Sequence, residues 1–387
     1  MSENRMKIVI AMDSFKGSLS ALQAGQAIAE GIHRVEPETE LHICPMADGG
    51  EGTVDAILTA TAGQYQTVQA SDPLGRQIDC RYGIIPSSKT AVIEMSAAAG
   101  ITLLTEAERN PRYASTYGVG QMILDAIEKG CRDFIIGIGG SATNDGGVGM
   151  LQALGFSFLD TAGIEIARGA IGLQNLAEIR IDYVPAVLNN CRFRIACDVS
   201  NPLCGEQGCS AVFGPQKGAA PELIQQMDSW LQHYAALTKT VCPSSDADYP
   251  GAGAAGGLGF AFLSYLNATL ESGVSIVIDA IHLEQQIQTA HLVITGEGRL
   301  DGQSAMGKTP VGVARAAKKY GKPVIALAGS VTAEADRCHA YGIDAFFPVL
   351  KAPCTLDEAI QPETAYQNLR DIAEQVFRLI EAVRTTL

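Results

Sequence analysis

Basic charge is scarce in this chain. Its 387 residues carry 28 Lys and Arg against 42 Asp and Glu, a net charge of −14. Such a surface repels a nucleic-acid backbone and an anionic membrane, and no basic cluster interrupts it, so no nucleic-acid or membrane partner is expected. Histidine is also rare: the six are dispersed and lack the spacing of zinc ligands. Ten cysteines occur without a C-x-x-C pair. Cys44, Cys80, Cys131 and Cys197 sit in apolar runs and read as small core residues. No G-x-S-x-G elbow is present. Long apolar runs are missing too. The N-terminal MSENRMKIVIAMDSFKGS is too short in its apolar part for a signal peptide, and Pro250 with repeated glycines breaks the uncharged stretch 250–270. A soluble, cytoplasmic protein is the expectation.

What the chain has is apolar material and glycine. Hydrophobic residues make up 47% and charged ones 18%, and 41 glycines cluster in short strings. The length predicts two domains. KIVIAM (7–12) is a β-branched apolar run ending at Asp13, followed by helical spacing of Ala21, Ala24, Ile28, Ile32 and Val35. ELHICPM is a second strand, with a helix from about Glu51. From Gln66 to Ser96, QTVQAS, QIDCRYGIIP and TAVIEMSA are joined by short turns, which implies antiparallel pairing. A helix near 116–129 and the strand FIIGI follow. Parallel-sheet grammar returns at HLVIT (291–295), PVIALAG (323–329) and DAFFPVL (344–350), and the last helix aligns Leu369, Ile372, Val376, Leu379 and Val383. The chain is therefore expected to be α/β. Residues 1–66 and 285–387 would form a five-stranded doubly wound sheet, interrupted by a mixed α/β domain at 67–284, with a cleft between the two.

Residues 302–309, GQSAMGKT, fit the phosphate-loop pattern letter for letter. Mechanics oppose the match. GEGRLD separates it from the preceding strand, Thr309 is expected to be spent as an N-cap, and Pro310 at the first helical position lacks an N–H. Lys308 near the helix start can still meet a phosphate as a point charge. A stronger signal is GIGGSATNDGG (137–147), a strand-to-helix glycine loop whose N–H groups, Ser141 and Thr143 suit anionic oxygens. GAGAAGGLG (251–259) is a weaker copy that also reads as close helix packing. Asp13, Asp48, Asp198 and the group Glu297–Asp301 recur at strand ends, where open α/β sheets place ligands. Any one such Asp is more often a cap or turn former. Together with Lys16, Arg299 and Lys308 they suggest metal or proton chemistry on a phosphorylated ligand. A phosphoaspartate scheme at Asp13 is disfavoured because Phe15 stands where a second Asp is usual.

The strings IAMDSFKGSLSA, PMADGGEGT, IGGSATNDGGVGMLQALG, ACDVSNPLCG, AVFGPQKGA, GAGAAGGLG and VITGEGRLDGQSAMGKTPVGVA closely resemble the type I glycerate kinase family. Met12 departs from it, since proline is common before the Asp. The resemblance implies a flavodoxin-like domain interrupted by a second α/β domain, and ATP- and Mg²⁺-dependent phosphorylation of D-glycerate, usually at the 2-position. It makes the phosphate-loop match coincidental. By the same resemblance, Asp301 is the first candidate for the base and Asp198 the second, with Asp13 and Lys16 also catalytic. Arg299 or Lys16 would pair with the substrate carboxylate, and Ser141, Asn144 and Asp145 would contact substrate. Gly139, Gly140, Thr143, Lys308, Gly256 and Gly257 would serve the nucleotide, and Asp48 or Glu297 would support Mg²⁺. Another small hydroxy acid, the 3-hydroxyl of glycerate, and a non-catalytic nucleotide or acid sensor remain alternatives; a homo-oligomer stays open.

Overall fold

The structure, a computed structural model, describes residues 5–182 and 184–384. Two compact units divide them: one comprises residues up to 48, 55–61 and 274 onward, the other 49–54 and 62–273.

In the first unit, Lys7–Met12, Glu40–Ile43, Leu292–Gly296, Val324–Ala328 and Ala345–Pro348 form one five-stranded sheet. Every pairing is parallel. Across the sheet the strands run second, first, third, fourth, fifth in chain order, which is the flavodoxin-like arrangement. After Lys7, IVIAM is apolar throughout because a central parallel strand is covered on both faces; Ile8 to Met12 have no exposed surface. Ile8, Ile10 and Met12 pack with Ala24, Ile28 and Ile32 of the helix Ala21–His33 and with Leu369, Val376 and Phe377 of Pro362–Arg384. Ser20 and Gln23 close a reciprocal capping box at the start of the former. Val35 lies beyond that helix but still packs against the core.

The last helix differs from expectation. Leu369 and Val376 are buried, but Leu379 is 60% exposed and Val383 50% exposed. Its inner face runs Ala365, Leu369, Ala373, Val376, Phe377. A spacing of 3.5 residues drifts around a 3.6-residue helix, and Phe377 takes the inward place.

The second unit holds a six-stranded mixed sheet in the order Thr269–Glu271, Arg192–Ala196, Asp133–Gly137, Thr90–Glu94, Gln77–Ile85, Gln64–Ser71. The last three pair antiparallel through short turns, as DPLGR and SSK suggest, and the remaining pairings are parallel. All ten cysteines are free; Cys80 and Cys131 are buried, Cys44 and Cys197 half-buried, and Cys354 is exposed. Among the described residues no helix is long and apolar enough to cross a membrane.

Candidate functional site

In the first unit, two neighbouring strands end on carboxylates. Met12 stands beside Gly296 in register, and the Asp13 amide donates to the Gly296 carbonyl at 2.9 Å. Asp13 and Glu297 therefore emerge side by side at the carboxyl edge of the sheet, both nearly inaccessible to solvent, at 5% and 9% exposure. Each is held by a hydroxyl. Thr309 Oγ1 donates to Asp13 Oδ2 at 2.6 Å, and Ser304 Oγ donates to Glu297 Oε1 at 2.5 Å. The Ser14 amide adds a 2.6 Å bond to Asp13 Oδ1. Burial outweighs these donors. It raises the Asp13 carboxyl to about 6, with the charge of Asp48 adding to the effect, and Glu297 to about 7.

Thr309 is thus not the helix cap expected of it. The helix Thr309–Lys318 is capped at Lys308, Thr309 is its first residue, and Pro310 follows second. The hydroxyl is spent on a buried carboxylate that needs a donor. The rest of GQSAMGKT is a 3₁₀ turn, Ser304–Met306, leading to Gly307 at φ 114°. It leaves from Arg299–Leu300, a short strand paired with Ser330–Val331, and not from a strand of the main sheet.

Asp301 is a turn former. Its Oδ1 accepts from the amides of Gln303 and Ser304 at 2.8 and 3.3 Å, and its Oδ2 lies 3.5 Å from Arg299 Nε. Lys16 Nζ stands 4.0 Å from Asp48 Oδ2. The side chains of Lys16 and Arg299 are 67% and 66% exposed, so both cations can meet a solute. Asp13, Lys16, Asp48, Glu297, Arg299, Asp301 and Lys308 all line one cavity of about 600 Å³. The structure thus brings together every candidate that the sequence supplied from this unit.

The second unit gathers the glycine loop. Gly139 and Gly140 are exposed just past the strand Asp133–Gly137, whereas 141–150 are buried. Asp145 builds this loop: it accepts from Thr116 N and Oγ1 at 2.8 and 2.9 Å and from the amides of Gly147 and Gly149 at 3.1 and 3.3 Å. Burial raises its carboxyl, against those four donors. Asp145, expected to touch substrate, has its oxygens occupied by Thr116 and by the amides of Gly147 and Gly149. Asn144 Nδ2 donates to Ser210 Oγ at 2.8 Å, while Asn144 Oδ1 and Thr143 Oγ1 are buried without a protein partner. Gly256 (φ 68°) and Gly257 (φ 92°) buttress the loop, since a Cβ at Gly256 would lie 2.0 Å from the Thr143 carbonyl oxygen. Their glycine identity serves backbone packing. Asp198 is exposed past the adjacent strand end and accepts from the Gly273 amide at 3.2 Å.

Lys217 had drawn no attention in the sequence. It is 2% exposed and closes the 3₁₀ turn Pro215–Lys217. Its ammonium donates to Ser141 Oγ at 2.8 Å and to the Thr143 carbonyl at 2.6 Å, and burial lowers its pKa to about 8. A lysine in a P-x-K-G turn usually reads as solvated; only the loop packed over it makes it a clamp. Thr309 was missed as a carboxylate donor for a related reason, because it and Asp13 are 296 positions apart, whereas Ser304 stands only seven positions from Glu297.

Comparison with known proteins agrees with this architecture. The profile of the glycerate kinase family matches residues 8–381. Glycerate 2-kinase of Escherichia coli (strain K12) is 49% identical over 364 residues, covering 94% of this chain and 95% of that protein. Glycerate kinase of Haemophilus influenzae is 46% identical over 375 residues, 97% of this chain and 99% of that one. A crystal structure of a Salmonella typhimurium LT2 protein bearing the name glycerate kinase 2 superposes with a TM-score of 0.90 at 46% identity, covering 99% of this chain and 100% of the other. The chain belongs to the glycerate kinase family, whose members are phosphotransferases.

Proposed function

We propose that this protein transfers the terminal phosphoryl group of ATP to D-glycerate, giving 2-phosphoglycerate and ADP. One observation carries the reading: two buried carboxylates end adjacent central strands, in a cavity also lined by Asp48, Asp301 and the cations Lys16, Arg299 and Lys308. The choice of the 2-hydroxyl follows the name of the Escherichia coli relative, glycerate 2-kinase.

Arg299 takes the substrate carboxylate, because a guanidinium fork matches its two oxygens, and Lys16 adds a point charge. Asp13 accepts the hydroxyl proton as that oxygen attacks phosphorus. The new O–P bond forms, the bond to the ADP oxygen breaks, and the proton stays on Asp13. A carboxyl raised to about 6 is ionised at neutral pH yet more basic than an ordinary aspartate, which suits a general base. Asp301, first in line from the sequence, is placed behind Asp13 because its Oδ1 braces the 301–304 turn and its Oδ2 lies 3.5 Å from Arg299 Nε. Asp198 stays second. Lys308 compensates charge on the moving phosphoryl group.

Magnesium fits the donors present. It prefers one or two carboxylates plus phosphate oxygens to an all-protein cage. Asp48 and Glu297 supply two in one cavity, and no cluster of three or more His, Cys, Asp or Glu among the described residues could hold a metal ion. Asp48 and Glu297 would hold it directly or through water; when bound with ATP it neutralises phosphate charge. In the second unit, the exposed backbone of Gly139 and Gly140, with Ser141 and Thr143 fixed by Lys217, is proposed to receive anionic oxygens.

The test is an ADP-coupled assay with D-glycerate and MgATP, with NMR of the product. The expected product carries phosphorus on C2. Turnover of a different hydroxy acid with none of D-glycerate would overturn the assignment.

A further inference from the structure

We propose that residues 349–360, after the last strand of the parallel sheet, form the shelf that binds the purine base of ATP. This rests on the reading that ATP is the phosphoryl donor. The cavity exceeds what the acceptor needs. At about 600 Å³ it falls within the ~300–1,000 Å³ typical of pockets for drug-sized ligands, whereas D-glycerate is a three-carbon acid. Its lining is also of two kinds. Beside the charged residues already described stand Val349, Leu350, Leu356, Ala359, Ile360 and Ala365. Glycerate, with a carboxylate and two hydroxyls on three carbons, has no apolar face to lay on them. A nucleotide has both parts in one molecule, a flat base that favours apolar walls and a triphosphate that favours Lys308 and its neighbours.

Val349 and Ala365 belong to the core, but the lining from Leu350 to Ile360 is not surplus core. Leu356 is 74% exposed and Leu350 37%, which leaves two large side chains in water at the mouth of a cavity. The short helix in this segment is also braced internally. Thr355 caps the short helix Leu356–Ala359 in a reciprocal box: its amide and hydroxyl donate to Glu358 Oε2, both at 2.9 Å, and its Oγ1 accepts from the Glu358 amide at 3.3 Å. Leu356 is thereby presented from a built turn. The shelf follows the carboxyl end of Ala345–Pro348, as Asp13 and Glu297 follow the carboxyl ends of their strands, the side on which open α/β sheets bind ligands.

Cys354 supplies the probe. It lines the same cavity and is the one exposed thiol among the ten. Alkylation of the wild-type protein by N-ethylmaleimide, followed at Cys354 by mass spectrometry, should slow at least fivefold with MgADP. Tripolyphosphate with magnesium, or D-glycerate, should slow it less than twofold. Separately, Leu356→Ala should raise the KM for ATP at least fivefold while the KM for D-glycerate moves less than twofold. If tripolyphosphate protects as well as MgADP, or the variant keeps its KM for ATP, the base binds elsewhere and the shelf is refuted, with ATP still the donor. If wild-type protein turns over no glycerate with ATP, the donor reading fails and the shelf falls with it.

Discussion

Replacing Asp13 by Asn should abolish turnover and, unusually for an active-site change, leave a protein whose relative stability improves as pH rises. The argument starts from burial. Asp13 is 5% exposed, and its carboxyl is raised from 3.8 to about 6, chiefly because ionisation in the closed site is opposed by lost hydration. Below pH 3.8 the folded and unfolded chains both hold the proton. Between 3.8 and about 6 the unfolded chain has lost it and the folded chain retains it. The folded state then binds more protons, so stability falls with rising pH, the reverse of a salt-bridged aspartate. Above pH 6 the whole cost is present. At about 1.4 kcal/mol for each tenfold change in acidity, it comes to about 3 kcal/mol.

Asn carries no charge at any pH and escapes this term. The amide also changes the hydrogen bonds to Thr309 and Ser14, which adds an offset between the two proteins. That offset does not depend on pH, so comparing the variant with wild type at two pH values reads the Asp13 carboxyl together with its charge coupling to Glu297. Urea unfolding of both proteins at pH 4 and pH 8 should show the variant gaining about 2–3 kcal/mol on wild type over that interval. Turnover of the variant should fall at least ~100-fold, the usual scale of a lost general base. Wild-type kcat/KM should decline below about pH 6, as the base takes up its proton. A stability difference that stays flat between the two pH values would refute the reasoning, because Asp13 would then ionise as an ordinary aspartate and have no special fitness as a base near neutrality.

Two further outcomes bear on the other groups. Arg299→Ala should raise the KM for D-glycerate by about tenfold or more, the scale of a lost charge-assisted pair, with a much smaller change in kcat; an unchanged KM in steady-state kinetics removes Arg299 from the substrate. Lys217→Met takes the donor from Ser141 Oγ and from the Thr143 carbonyl. Amide exchange across 139–149, read by mass spectrometry, should then quicken at least tenfold while the Gln64–Ser71 hairpin strand keeps its protection, and equal exchange in both proteins would show that the clamp does not hold the loop.

Much of the fold was legible because its signals are local. A strand buried on both faces must be apolar along its length, so KIVIAM, HLVIT and PVIALAG declared themselves, and the acids that stop two of them declared the site. The misjudged features depend on partners far along the chain. Thr309 satisfies every local rule for a cap, yet a buried carboxylate outbids the helix amides for its hydroxyl. Lys217 sits in a turn that would be solvated alone and is covered only by the glycine loop. Asp301 is the opposite case. Its fate was written locally in D-G-Q-S, a turn sequence in which Asp takes the amides two and three residues on, and its position between Arg299 and Lys308 drew attention away from that.

The phosphate-loop look-alike takes on a different meaning once its hydroxyls are followed. Ser304 and Thr309 stand five positions apart in one stretch, and each donates to one of the two strand-end carboxylates, Glu297 and Asp13. Without those donors, burial would push both acids further up, since each hydrogen bond opposes the desolvation that raises them. Asp13 would then be protonated at neutral pH and useless as a base. Glu297 would be too neutral to attract a cation. The donors moderate the burial without reversing it, leaving one acid at about 6 and the other at about 7. A single segment thereby tunes both carboxylates, and its lysine, Lys308, faces the same cavity. Where a true phosphate loop wraps its ligand with backbone amides, this stretch acts on the acids beside the ligand, so the same letters serve the chemistry through different atoms.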